Sequence, residues 1–87
     1  MTTLPTRKVT LLAHGVVSDP RICSGAPTVK GRRVTTSVLF DRFLYGEGIR
    51  ALSDDYEMEP HEIQNAIRYE IARRLRLKGW LKKAKES

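Results

Sequence analysis

The sequence predicts a mostly α domain behind a short N-terminal β arm or hairpin, with a helix-turn-helix in its second half. Three observations point there. Apolar residues recur at helical spacing from about residue 38 onward. The stretch GIRALSDDYEMEPHEIQNAIRYE, residues 48–70, holds two amphipathic segments joined by a tight acidic turn. The first third is instead rich in β-branched residues, Gly and Pro.

The 87 residues suffice for one small domain. It divides into residues 1–8, expected to be frayed, a β arm and loop over 9–35, a helical core over 36–78 and a basic tail over 79–87. KVTLLAH reads as a strand that Gly15 breaks. SDPRICSGAP is a turn-rich loop, and TVKGRRVT reads as two extended pieces about Lys30-Gly31. Three such short strands need a helix layer or a second subunit to cover one face.

Thr35, Thr36 and Ser37 offer hydroxyls to cap the first helix, whose apolar positions are Val38, Leu39, Phe43 and Leu44. Gly46 and Gly48 end it. Ile49, Leu52 and Tyr56 form the stripe of a second, short helix. Pro60 suits the first turn of a third helix, with Glu59 and Glu62 near its positive N-terminus. Its stripe runs Ile63, Ala66, Ile67, Ile71 and Leu75. It is expected to reach Lys78, where Gly79 can cap or kink it and Trp80 can pack in one further turn.

Charge is unevenly placed. Residues 1–67 carry eight basic and eight acidic side chains, whereas residues 68–87 carry eight basic ones and only Glu70 and Glu86. The net charge of +6 therefore lies in the last 20 residues. A cationic end suits nucleic acid, an acidic protein or an anionic surface, and it also serves as a solubilising tail.

A helix-turn-helix needs a short connection, a small residue where its helices touch, and apolar anchors in its second helix. Ser53, Met58, Ile63, Ala66 and Ile67 fill those places. Glu59, His61, Gln64, Asn65 and Arg68 then face outward. Gln64, Asn65 and Arg68 are the expected base readers, since amides pair with adenine and guanidinium with guanine. His61 belongs to the same DNA-facing set. Arg32, Arg33, Arg73, Arg74 and Lys78 are the expected phosphate contacts. Glu57 occupies the turn position that favours Gly, so the turn must differ or carry strain. The acids around it repel phosphate and need those basic residues as compensation.

The loop carries a resemblance. Asp19-Pro20, Ile22-Cys23, Gly25, Pro27, Val29, Gly31, Arg33 and Val34 are followed by three helices, with Tyr56, Ala66 and Tyr69 in the second and third. Over about residues 16–71 this resembles a bacterial family catalogued as domain of unknown function four-three-three, some members of which are VapB-type antitoxins. The resemblance implies a homeodomain-like three-helix fold behind a β arm. It also implies an antitoxin or DNA-binding regulator, which blocks a PIN-like ribonuclease toxin and represses its own promoter. The basic extension after Arg73 is not part of the shared pattern. The same architecture serves phage repressors and excision factors.

Other chemistry is not expected. His14 and His61 belong to no Cys/His cluster, so neither a metal nor another cofactor is implied. GAPTVKG lacks the order of a phosphate-binding loop. Cys23 reads as a small buried hydrophobe, and a single cysteine fits a reducing cytoplasm. No acid–base or nucleophile set suggests an enzyme. No membrane span or good signal peptide is visible. The expected partners are double-stranded DNA, a second copy of the chain forming a homodimer, and the PIN-like toxin. Either the β arm or the third helix with Trp80 would form the dimer interface. A protein-binding module whose basic tail wraps a toxin without touching DNA is the competing reading.

Overall fold

A computed structural model describes the backbone of residues 8–86 and the side chains of residues 8–77. The expected fray of the N-terminus concerns residues almost wholly outside this range. The side chains of Lys78, Trp80 and the rest of the basic tail also lie outside the described residues.

Strand β1 (Thr10–Ala13) turns at His14-Gly15 and pairs antiparallel with β2 (Val16–Ser18). Gly15 takes φ +76°, a value that L side chains adopt rarely. Strand β3 (Thr28–Val29) adds to the other edge of β2, in the order β1-β2-β3. Strands this short are marginal alone. Val16 and Val29 are fully or nearly fully buried, and β2 and β3 both pack on the third helix. The predicted arm is therefore part of the body of the domain. The expected pieces about Lys30-Gly31 form a tight turn: Val29 N–H donates to the Val34 carbonyl at 3.1 Å, and Thr28 bridges Thr35.

The loop between β2 and β3 is tied to itself. Buried Asp19 accepts from the Arg21 amide at 2.9 Å and pairs with the Arg21 guanidinium. Ser18 Oγ donates to the Gly25 carbonyl at 2.6 Å. Within it a 3-10 turn, Cys23–Gly25, holds Cys23 and Ser24 at positive φ. Cys23 is exposed, not the buried hydrophobe expected, because this left-handed turn carries it outward.

Helix α1 (Thr36–Leu44) starts behind Thr35, whose hydroxyl accepts the Val38 amide at 3.3 Å. Gly46, at φ +102°, follows its end. Helix α2 (Ile49–Tyr56) and helix α3 (Pro60–Glu86) complete the chain. No helix among the described residues is long and apolar enough to cross a membrane. Leu39, Phe40, Leu52, Met58, Ile63, Ala66, Ile67 and Val29 form the core, with Ile49 and Tyr56 packed against it.

Two stripes differ from expectation. In α1 the inward positions are Thr36, Leu39 and Phe40, while Val38, Phe43 and Leu44 are exposed. In α3 the stripe runs Ile63, Ala66, Ile67 and then Glu70, leaving Ile71 and Leu75 exposed at 43% and 63%. A polar residue stands at one core-facing position in each helix, and apolar spacing alone passes over it. Helix α3 also runs through Gly79 to Glu86 where a cap or kink was expected; an interior Gly costs a helix only about 1 kcal/mol relative to Ala.

Candidate nucleic-acid interface

The corner between α2 and α3 positions every exposed side chain of α3. Glu57 closes α2 in the left-handed region, at φ 53° and ψ 47°, so strain is the outcome of placing Glu where Gly is favoured. Ser53 is buried and its hydroxyl hydrogen-bonds the Met58 carbonyl, while the Met58 amide donates to the Ser53 carbonyl at 3.0 Å. Met58 itself is buried against Leu52 and Ile63, locking the turn to the core. At the start of α3 the Glu59 amide donates to Glu62 Oε1 at 2.9 Å, the reach-back half of a capping box. The α1–α2 corner is pinned by Arg42, which pairs with Glu47 and Asp55 and lies 5.3 Å from the Tyr56 ring centroid. Hydrogen bonding to Arg42 lowers the Glu47 pKa.

At about 100° per residue, His61, Gln64, Asn65 and Arg68 share a face about 100° wide. His61, Gln64 and Arg68 are exposed. Asn65 is half-buried instead. The β1–β2 turn lies against it, so that a Cβ built on Gly15 would sit 2.9 Å from Asn65 Nδ2. That packing removes Asn65 from the open face on which a base reader was expected.

The expected phosphate contacts also divide. Arg32 is held by Glu62 in a two-pronged pair, with contacts of 2.9 and 3.2 Å. Each stabilises the other's charged form: hydrogen bonding to Arg32 lowers the Glu62 pKa, and hydrogen bonding to Glu62 raises that of Arg32. Arg32 is thus a brace between the β3–α1 turn and α3, already neutralised. Arg33 is exposed and its side chain has no ion pair among the described residues. Arg73 and Arg74 both approach Glu70 Oε1 at 3.3 Å, and Arg74 lies 4.4 Å from the Phe40 ring centroid. Arg74 is therefore largely occupied by packing. Lys78 lies outside the described side chains.

Two clefts flank the β1–β2 turn. One, of about 490 Å³, lies between residues 12–14 and α3, with Arg68, Tyr69, Arg73 and Arg76 on the helical side. The other, of about 360 Å³, includes Lys30, His61 and Glu62. Sequence reading passed over His14 and Lys30 here, and counted Arg76 only within the basic stretch from Arg73 onward. No local spacing links them, since the hairpin meets α3 some fifty residues later in the chain.

The loop that builds this arrangement, from Asp19 to Val34, is the part with the most particular sequence. A family model described as Protein of unknown function (DUF433) matches residues 16–69. The chain belongs to the DUF433 family. Most of the β1 hairpin arm and the part of α3 beyond Tyr69 lie outside the DUF433 match. No curated protein matches the chain. Among solved structures, the crystal structure of Rv2018 from Mycobacterium tuberculosis is similar, with a TM-score of 0.55 and 31% identity. The likeness covers 60% of this chain and 24% of Rv2018, so this chain corresponds to about a quarter of that protein's length.

Proposed function

We propose that this DUF433 chain is a sequence-specific DNA-binding regulator of transcription, with α2 and α3 acting as a homeodomain-like helix-turn-helix. The observation that carries the reading is the α2–α3 corner. It is locked by Ser53 and Met58 and leaves His61, Gln64 and Arg68 exposed on one face of α3. Such a face can enter a major groove, where Gln pairs with adenine and Arg with guanine. Arg33, Arg73 and the basic tail after Arg73 supply phosphate contacts, and α3 extends as a basic helix. Autorepression by an antitoxin is the specific form of this reading, with a PIN-like ribonuclease as the toxin; a phage-type repressor or excision factor is the alternative form. Regulators of this kind bind as homodimers on paired half-sites, which also relieves the small core of a short chain.

A protein-binding module that neutralises a toxin without DNA is the second reading. The exposed apolar residues Ile71, Leu75 and Leu77 on α3 favour a protein partner there. Fluorescence anisotropy of the full chain on its own upstream duplex, against a scrambled duplex across a salt series, separates the two. Sequence-dependent binding with a steep salt slope is expected. Weak, equal binding to both duplexes would reject the DNA reading and leave the protein-binding one.

A further inference from the structure

The cleft between the β1–β2 turn and α3 has a feature that the acidic α2–α3 corner lacks. Arg68, Arg73 and Arg76 line it together with His14, and no carboxylate does. On a helix these three arginines fall within about 140° of one another, and Arg68 to Arg76 spans about 12 Å of axis. Arg68 and Arg76 have no ion pair among the described residues, whereas Arg73 shares Glu70 with Arg74. Asn65 abuts the Gly15 turn, which sets the hairpin at the edge of the face bearing His61, Gln64 and Arg68, with His61 in one flanking cleft and Arg68 in the other. Lys30 stands on the far side of the same turn, its amide donating to the Gly15 carbonyl at 2.9 Å. The hairpin turn therefore stands against α3 with cationic groups in the clefts on both of its flanks, Glu62 sharing the Lys30 side.

We propose that this hairpin is a wing: it grips the sugar-phosphate backbone of double-stranded DNA in the His14–Arg76 cleft while α3 reads the adjacent groove. The proposal rests on the DNA-binding reading. It goes beyond that reading in assigning a contact to His14, in placing Arg76 in a defined cleft, and in giving the β arm a part in binding. A strand of the duplex advances roughly 3.4 Å of axis per phosphate, so Arg73 and Arg76, about 4.5 Å apart along the helix axis, can meet neighbouring phosphates while Arg68 stays with the groove. Arg forks match phosphate oxygens, and the apolar floor of Ala13 and Ala72 lets a backbone approach closely. An acidic protein segment is the other occupant that this charge would attract. The continuity of the cleft with the exposed His61, Gln64 and Arg68 face favours the duplex, since one rigid ligand can cover both.

The test is anisotropy of the full chain and of Arg76→Ala and His14→Glu variants on the upstream and scrambled duplexes, with a polyglutamate peptide as a third probe. Both substituted positions are exposed, and circular dichroism checks that the fold is kept. For Arg76→Ala the slope of log affinity against log salt should become shallower by about one on both duplexes, with the preference between them retained. His14→Glu should weaken both duplexes by a similar factor. If the wild type prefers its own duplex but neither variant changes slope or affinity, the wing is wrong and the helix-turn-helix reading stands. If the variants alter only polyglutamate binding, the cleft belongs to an acidic protein and the proposal falls. If the wild type shows no duplex preference, both readings fall together.

Discussion

Thr36 Oγ1 donates a 2.6 Å hydrogen bond to Glu70 Oε2, with both side chains buried, and so ties the first turn of α1 to the middle of α3. Glu70 is 1% exposed; its other oxygen meets Arg73 and Arg74. A buried carboxylate is tolerated only when its lone pairs are met, and here hydroxyl and guanidinium donors meet them. Thr36→Val removes the buried donor and should lower stability by about 1–3 kcal/mol in urea unfolding. Thr36→Val combined with Glu70→Leu removes both partners and should recover part of that loss. A double variant no better than the sum of the singles would mean that the pair is not coupled.

Glu57 sits in the left-handed region at the α2–α3 corner. Glu57→Gly removes the Cβ conflict and should raise stability by about 0.5–1 kcal/mol, the left-handed penalty less the greater chain entropy of Gly. The urea midpoint should rise with its slope unchanged. A fall would show that the Glu side chain contributes something the backbone angles do not reveal.

Gly15 has both a positive φ and a close neighbour in Asn65. Gly15→Ala should destabilise by roughly 1–3 kcal/mol, from left-handed strain and from pushing the hairpin off α3. Adding Asn65→Ala, referenced to Asn65→Ala alone, should restore only the part due to crowding. An equal cost of Gly15→Ala in both backgrounds would mean that the Asn65 contact costs nothing.

Arg32 and Glu62 brace the β3–α1 turn against α3. Because Glu62 titrates lower in the folded chain than its ordinary 4.5, the pair's stabilisation is full above that value. It is lost as pH falls through the depressed folded value. Arg32→Met should therefore lower the urea midpoint near neutrality and leave it unchanged in strong acid. The Arg32 side chain is 39% exposed, so solvent screening keeps the effect small.

Under the proposed DNA-binding function, Gln64→Ala and Arg33→Ala separate base contact from phosphate contact. On the upstream duplex, Gln64→Ala should cost about 1–3 kcal/mol and relax preference at one base pair, with scrambled DNA unaffected. Arg33→Ala should weaken both duplexes and make the salt slope shallower by about one. Equal losses on both duplexes for Gln64→Ala would remove it from the reading face.

Much of this chain was legible locally. The Thr35 cap, the Gly46 stop, the Leu52 and Ile63 stripes and the Ser53–Met58 turn all depend on residues a few positions apart. So does the resemblance, because its Gly and Pro positions impose backbone angles directly. Asn65, Arg32 and Arg74 were misplaced for one common reason. What each faces is settled by a partner on another element: the Gly15 turn for Asn65, Glu62 for Arg32 and the Phe40 ring for Arg74.

The sequence by itself determined where helices begin and end within the core, where the turn strains, and that the excess positive charge lies beyond residue 67. Only the tertiary structure decided that Glu62 neutralises Arg32, that Thr36 meets Glu70, and that the hairpin turn lies against α3 at Asn65. Helical period, caps and glycine angles act over one or two turns of chain. The Arg32–Glu62 pair, the Thr36–Glu70 hydrogen bond and the hairpin clefts depend on distances in space between residues about thirty to sixty apart in sequence, and those distances exist only once the core has closed.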